Sequence, residues 1–524
     1  MRRFLAILVS ALLLVSVMPN AFAEELDLRP RTVVTTDLEC DDIDSLLHLL
    51  LYANDIDIAA IVVSASTHHW VGDGEHTLEE IVENPRNNGD RERMGLGNDI
   101  MEWRPMELNW VYDTLRNEYS EVYPNLVTHD PDYPSPGELI ERTKIGNVEF
   151  EGDMREPSEG SDYIMQLLLD DDMRDIYLQA WGGTNTIGRA LLSIEETYKD
   201  TDQWDEIYAK VAQKAVIISF GDQDNVYPEY ISVNWPDIRR LYCVTGGIGY
   251  RTSKNATVPY RQYFQPEWLT KNIKFGHGAL MSKYLLFGDG TYYEGEIPTS
   301  QFGDLNTVLD ENCWLYGDWQ RYEFISEGDS PCWMYLIPVG LRGLEDTTYG
   351  SWGGRMGYNE ERGTVSAISE YDPSKGELAG GYSVHRWFPA FMNDWAARAD
   401  WCVASSYDQA NHEPVVTAEA LDFEAYPGAV VELKASAVDP DGDELTYDWF
   451  VYTDACTYAG DNGAYLDVWT HGENETSFTV PADAQPGDIF NIVFEATDNG
   501  APALTRYAQA IITVMEAPAE ETAE

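Results

Sequence analysis

Residues 31–66 read RTVVTTDLECDDIDSLLHLLLYANDIDIAAIVVSAS, and the fold follows from how this stretch is punctuated. Thr32 to Thr36 is a β-branched run, which suits a buried strand. Three aspartates follow within six residues, Asp37, Asp41 and Asp42, and then a Leu-rich amphipathic helix carrying Leu46, Leu47, Leu49, Leu50 and Leu51. A second apolar run, Ile58 to Val63, closes the unit. Strand, acidic loop, helix and strand together describe two parallel strands joined by a crossover helix. In such sheets ligands sit beyond the carboxyl ends of the strands, where these acids fall. Carboxylates packed so closely repel one another unless a cation lies between them, and a hard divalent ion such as Ca²⁺, with oxygen ligands, satisfies them. The competing reading is a solvated face or a helix N-terminus, where acids oppose the dipole. Asp170-Asp171-Asp172 shows how readily such runs recur here.

Residues 1–23, MRRFLAILVSALLLVSVMPNAFA, have two arginines, an apolar core and an Ala21-Phe22-Ala23 ending. That is a secretory signal peptide with cleavage expected after Ala23, too short and wrongly flanked for a membrane span. No later stretch is apolar for long enough to cross a bilayer, so a secreted or periplasmic protein is expected. The 524 residues suffice for two or three domains with ample core. Lys+Arg number 34 against 91 Asp+Glu, a formal net charge of −57. Such a field makes nucleic acid and anionic membrane surfaces poor partners and suits divalent cations and neutral substrates. The 16 Trp and 32 Tyr suit stacking on sugar rings, and equally suit core packing. Six cysteines in an exported chain permit disulfides, and none has the spacing of a zinc site.

Further along, THHWVGDGEHTLEE offers His68, His69 and His76, either pocket-lining or incidental. Residues 84 to 160 are polar, a long excursion with a helix around Trp110 to Tyr119 that could wall the site. Regular α/β pattern resumes at DIYLQAWGGTNTIGRALLSI: a strand from Ile176 to Ala180, a Gly182-Gly183 turn, and a helix from Thr184. The glycines serve a tight turn, and that turn is compatible with a Trp181 carbonyl aimed at a metal. Further strands are expected at Ala215 to Phe220, ending in Asp222-Gln223-Asp224-Asn225, and at 241 to 247. EGDSP, residues 327–331, puts Asp329 ahead of an apolar run, as a late metal ligand or a helix N-cap. SWGGR places Trp352 and Arg355 on a glycine-flexible loop, where both could meet a sugar.

VHRWFPAFMNDWAARADWCV reads as a helix packed on the core, and a domain boundary falls in ANHEPVV, residues 410–416. From there to Val514 the pattern alternates: VVELKASAV, ELTYDWFVY, TSFTVPA, IFNIVFEATD, YAQAIITVM. Short strands separated by turns specify an all-β immunoglobulin-like sandwich. Asp439-Pro440-Asp441-Gly442-Asp443 is a calcium loop or a plain turn, with no late Glu to complete an EF-hand. The tail, 517–524, is acidic.

The N-terminal motif, the GGTN turn and EGDSP together resemble a bacterial cellulose-binding protein family with an N-terminal nucleoside-hydrolase-like domain and a C-terminal β-sandwich. The resemblance spans about residues 28 to 516, with 28–405 as an α/β domain on an open, mostly parallel sheet and 412–516 as the sandwich. It implies a Ca²⁺-centred N-glycosidase scaffold. By that resemblance Asp37, Asp42, Asp329 and the Trp181 carbonyl bind Ca²⁺. Asp37 is also the catalytic base towards water, and Asp41 holds a sugar hydroxyl. Ser66 takes the place of a substrate-binding Asn after the second strand, and Asn234 is a candidate for gripping ribose. Thr35 stands where nucleoside hydrolases carry the first Asp of their motif, Leu38-Glu39-Cys40 replaces the usual Pro-Gly segment, and Gly328 stands where many carry a His that assists the leaving base.

Two function classes lead. One is Ca²⁺-dependent hydrolysis of an N-glycosyl or related bond, on a carbohydrate or nucleoside-like small molecule. The other is a non-catalytic cellulose or polysaccharide binder on a hydrolase scaffold. A phosphohydrolase is disfavoured, because Thr35 breaks the DxD pair that chemistry uses.

Overall fold

The protein is described here by a computed structural model covering residues 27–460 and 470–516. Residues 1–23, read from sequence as a signal peptide, and the tail 517–524 lie outside the described residues. Eight strands form the principal sheet: β1 Arg31–Thr36, β2 Asp57–Val63, β3 Thr143–Ile145, β4 Ile176–Ala180, β5 Ala215–Ser219, β6 Arg239–Tyr242, β7 Met356–Asn359 and β8 Thr364–Ala367. Their order is β3-β2-β1-β4-β5-β6-β8-β7, parallel throughout except that β7 runs against β8. Every residue of β1 is buried, as its β-branched run requires. Helix α1, Cys40–Leu49, packs Leu46, Leu47 and Leu49 into the core on the way to β2.

The chain lays β2 and β3 on one flank of β1, then crosses to place β4, β5 and β6 on the other. A topological switch point therefore lies between β1 and β4, where loops diverge and open a crevice. β6 ends at Tyr242, short of the apolar run read to 247, because Cys243–Gly247 turns out of the sheet. Gly246 there has φ +63°, and a Cβ on Gly247 would stand 2.7 Å from Val384. The 84–160 excursion carries a helix, Trp110–Thr114, that runs through one π turn, Leu115–Tyr119, into Ser120–His129. It also supplies the edge strand β3, only three residues long and too short to show a period.

A small hairpin, β9 Glu370–Asp372 with β10 Glu377–Ala379, precedes the helix Phe388–Trp401. Then come β11 Val415–Ala418, β12 Asp422–Ala425, β13 Val430–Val438, β14 Thr446–Val451, β15 Thr470–His471, β16 Glu475–Thr479, β17 Ile489–Thr497 and β18 Thr505–Val514. They form sheets β11-β13-β16 and β12-β18-β17-β14-β15, antiparallel but for β12 on β18. Leu433, Trp449, Phe478, Ile492 and Phe494 fill the core of this strand-rich region. A second face of it joins the main core, where Tyr452, Val493 and Tyr507 share one cluster with Trp352, Trp387 and Phe391. All six cysteines are free thiols. Among the described residues no helix is long and apolar enough to cross a membrane.

Candidate functional site

The switch point gathers the loop after each central strand. Asp37 leaves β1, and Leu38 then adopts φ +58°, a left-handed conformation that a leucine keeps only when its surroundings impose it. Its N–H donates to Thr36 Oγ1 at 3.0 Å, and Arg104 Nη2 anchors the next residue through Glu39 Oε1 at 2.9 Å. Burial opposes the Glu39 charge, but Arg104, with His68 and His69, outweighs it and holds the carboxyl at about 2. The kink starts α1 so that Asp41 and Asp42 occupy its first turn beside the end of β1.

Asp42 Oδ1 accepts from Thr36 Oγ1 at 2.6 Å and from the Asp37 N–H at 3.2 Å. Asp41 accepts from the Tyr250 hydroxyl at 3.3 Å and from Ser326 at 3.4 Å. The Ser66 hydroxyl, just beyond β2, donates to Asp37 Oδ2. From the far side comes Asp329, and carboxylate oxygens of Asp41, Asp42 and Asp329 all lie within 4.8 Å of one another. Asp329 holds the N-cap position of the helix Ser330–Met334 yet makes no side-chain cap bond. Its Oδ1 is buried without a hydrogen-bond partner among the described residues.

Burial raises all three acids, and their neighbours raise them further. Asp41 reaches about 8 under burial, Glu39 and Asp37. Asp42 goes well above the carboxylate range under burial, Asp37 and Asp329, as does Asp329 under burial, Asp41 and Asp37. Such a group either takes up protons or shares a cation. The donors are all hard oxygens, which fits Ca²⁺ or Mg²⁺ and not a thiophilic metal.

Glycines make the close approach possible. A Cβ on Gly182 would sit 3.0 Å from Asp37 Cβ, one on Gly183 2.5 Å from the Ala65 carbonyl, and one on Gly328 2.7 Å from Asp41 Oδ2. A His at 328 would therefore collide with the carboxylate. The Trp181 carbonyl, at the end of β4, accepts from Gln223 Nε2 at 2.7 Å. Asp224 pins the same turn, accepting from Thr184 Oγ1 at 2.8 Å and the Val226 N–H at 3.0 Å.

Three residues expected at the site stand elsewhere. Asn234 ends the helical turn between β5 and β6 and donates to its own Tyr230 carbonyl at 3.0 Å. Trp235 beside it stacks on Tyr208, from the helix Trp204–Lys214 that leads into the opposite end of β5. Trp352 is fully buried and meets Phe391 edge-on, so it packs the core and cannot stack on a sugar. Arg355 is buried with its Nε donating to Glu370 Oε1 at 2.8 Å. Glycine flexibility suggested an exposed SWGGR loop; the glycines instead let a tight turn tuck in, with Gly353 against the Pro331 carbonyl. In the Asp439–Asp443 turn, Asp439 Oδ1 accepts from the N–H groups of Asp441 and Asp443, both at 2.9 Å, and Asp441 accepts from the His412 N–H at 2.8 Å.

Sequence reasoning had Gln223 only as part of a polar strand end, and it missed Tyr250, Ser326 and the Arg104–Glu39 pair. It also missed Asp44, whose Oδ1 accepts from the Leu285 N–H at 2.7 Å and ties that segment to α1. The DDID run was the available signal for Asp44. Outside the carboxylate loop lies a cavity of about 360 Å³ that touches Leu38 and Cys40 and none of the four aspartates.

A parallel α/β sheet with buried carboxylates at its switch point, followed by a strand-rich domain, defines a nucleoside-hydrolase-like protein with a β appendage. Residues 31–356 match the family model "Cellulose-binding Sde182, nucleoside hydrolase-like domain", and residues 430–514 match "Cellulose-binding protein Sde0182, C-terminal domain". The chain belongs to this family. A solved structure of a nucleoside hydrolase-related hypothetical protein from Saccharophagus degradans, associated with carbohydrate metabolism, is 23% identical with a TM-score of 0.63. The match covers 93% of this chain and 100% of that one, and it shows the fold. A type I cohesin–dockerin complex chain from Clostridium thermocellum (14% identity, 20% of this chain, 100% of that chain, TM-score 0.13) carries no argument. Nor does an endo-β-1,4-mannanase from Thermotoga petrophila (12% identity, 93% and 98% covered, TM-score 0.14). No curated protein matches the sequence.

Proposed function

We propose that this is an exported, Ca²⁺-dependent hydrolase of an N-glycosyl or related glycosidic bond that also binds carbohydrate. The observation that carries the reading is the buried convergence of Asp41, Asp42 and Asp329, with Asp37 a charge neighbour of all three and Asp329 Oδ1 left unpaired. Asp37, Asp42 and Asp329 would hold the ion, joined by the Trp181 carbonyl once Gln223 releases it. Bound there, Ca²⁺ would supply Lewis acidity and place a water molecule. Asp37, oriented by the Ser66 hydroxyl, is the group that would accept the proton of an attacking water. Asp41, braced by Tyr250, holds a sugar hydroxyl. Gly328 offers no proton to a leaving group, so the substrate must carry one that departs without that help. The reading of residues 1–23 as a signal supports export, and the family's printed name supports a carbohydrate partner such as cellulose.

The engaged Trp181 carbonyl and Gly328 favour a second reading, a polysaccharide binder that has kept the scaffold without turnover. Calcium calorimetry on the full chain and on Asp42→Ala, with a nucleoside panel assayed in parallel, separates the two. Calcium binding lost in Asp42→Ala together with released base supports the hydrolase. Calcium binding without turnover supports the binder, and no calcium binding at all defeats the metal reading.

A further inference from the structure

Three hydrogen bonds at the boundary between the two regions need more protons than neutral histidines hold. His129 ends the helix Ser120–His129, His412 lies in the connector into the sandwich, and Asp441 sits in the turn between β13 and β14. Both rings are buried. His129 Nε2 lies 2.9 Å from the Ala404 carbonyl, His412 Nδ1 lies 3.0 Å from Asp441 Oδ2, and His129 Nδ1 lies 3.0 Å from His412 Nε2. A carbonyl and a carboxylate only accept, so the first two bonds each take an N–H, and the third needs one between the rings. That makes three N–H protons on two imidazoles, where two neutral rings hold two. The pair therefore carries one positive charge.

The surroundings decide where the charge rests. Burial holds His129 below the ordinary imidazole range, and the His412 charge presses the same way, against the Ala404 bond and the Asp441 charge. His129 is thus the neutral ring, accepting at Nδ1, and His412 is the imidazolium, donating from both nitrogens. Tyr407 stacks on His412 with ring centroids 3.5 Å apart, and aromatic faces favour a cation. Trp401 covers His129 in the same way. Asp439 in the sandwich turn, Glu413 in the connector and Asp130 after the helix act on Tyr407 together with Asp441. Asp408, beside Tyr407, is exposed and takes the Ser406 hydroxyl. On the helix Phe388–Trp401, Asp400 pairs with His277, and Arg398 is taken by Asp394 and Asp55. Arg506 is taken by Asp394 and Glu413. The uncommitted charge around the pair is acidic.

We propose that His129, His412 and Asp441 form a proton-held clasp that fastens the strand-rich region to the α/β region and loosens when the shared proton leaves. With two N–H protons left for three bonds, His412 must let go of either Asp441 or His129. The device is independent of calcium and of turnover. Unfolded, the two rings titrate at about 6.5, carrying two charges in acid and none in alkali. The clasp holds one, so folding gives up a proton in acid and takes one up in alkali. Its stabilisation rises with pH where the unfolded chain holds more protons and falls with pH where the folded chain holds more. It is therefore greatest at about pH 6.5. The test is urea unfolding of the full chain in EDTA from pH 5 to pH 9, for wild type, His412→Gln and Asp441→Asn. Gln keeps a donor towards His129 and cannot be charged, so the gap in midpoint between wild type and His412→Gln should peak at about pH 6.5 and shrink on both sides. Asp441→Asn keeps an acceptor without its charge, and the alkaline decline should begin about one pH unit lower. Hydrogen exchange of the wild type, corrected for intrinsic rate, decides the matter should His412→Gln fail to fold: the His412 amide, bound to Asp441 at 2.8 Å, should lose protection between pH 6.5 and pH 8.5. A midpoint gap that is flat or changes in one direction only, an alkaline limb unmoved in Asp441→Asn, or protection independent of pH would each overturn the clasp.

Discussion

Asp329 stands at the start of a helix without capping it, its Oδ1 is unpaired, and its carboxylate meets two other buried ones. Taking its charge away removes repulsion and breaks no hydrogen bond of that oxygen. Asp329→Asn should therefore leave the melting temperature in EDTA unchanged or higher, while the rise on adding calcium shrinks. A large fall in EDTA would mean that Asp329 serves folding and not an ion. The four aspartates could be picked out because each stands in a short motif beside an apolar run, where acid is conspicuous. Tyr250 and Ser326 gave no such signal, and Gln223 was one of four polar residues at a strand end with nothing to set it apart. Each brings a single polar contact to the site from a distant part of the chain, and only the closed fold sets it there.

At the scale of the element, the acid loop and the Gly182-Gly183 turn are two sides of one crevice. Gly183→Ala would push a Cβ to 2.5 Å from the Ala65 carbonyl and the same distance from Asp224 Oδ2, so the turn must shift. The expected result is a soluble, folded variant with calcium affinity reduced at least tenfold in calorimetry and a lower melting temperature. Undiminished affinity would show that the turn does not shape the site. The strands were legible because β1, β2 and β5 are mostly β-branched or aliphatic runs, the pattern of a sheet covered on both faces, while β4, Ile-Tyr-Leu-Gln-Ala, is marked by the Gly182-Gly183 turn that follows it. Asn234 misled because its segment runs back towards the start of β6, away from the crevice. Trp352 and Arg355 misled because a glycine-rich turn looks mobile in sequence whether it is exposed or wedged inside.

Across the whole molecule, Asp394 is the buried joint between the two regions. Its oxygens meet Arg398 Nε at 2.8 Å, on its own helix, and Arg506 Nη1 of β18 at 2.7 Å. Asp394→Ala takes one of two carboxylate partners from each guanidinium, leaving Asp55 with Arg398 and Glu413 with Arg506, and should cost about 1–3 kcal/mol in denaturant unfolding. Burial opposes the Asp394 charge, but Arg506 and Arg398 prevail and hold it at about 2. Because this pKa is depressed, its stabilisation is complete above the ordinary carboxylate pKa of about 4 and is lost as pH falls through about 2. Wild type should therefore lose more stability than Asp394→Ala between pH 4 and pH 2; equal acid slopes would remove Asp394 from the account. The sandwich strands could be read from their alternation. The joint could not, because Trp387, Tyr452 and Tyr507 look like any other aromatics until the two regions are packed together.

That shared core has an engineering consequence. Tyr452, Val493 and Tyr507 lie in the same apolar cluster as Trp352 and Phe391, so the C-terminal region is no interchangeable cassette. Grafted alone onto another enzyme, it would carry a raw greasy flank into solvent and clump. A transplant that keeps its solubility has to take the helix Phe388–Trp401 along as a built-in lining.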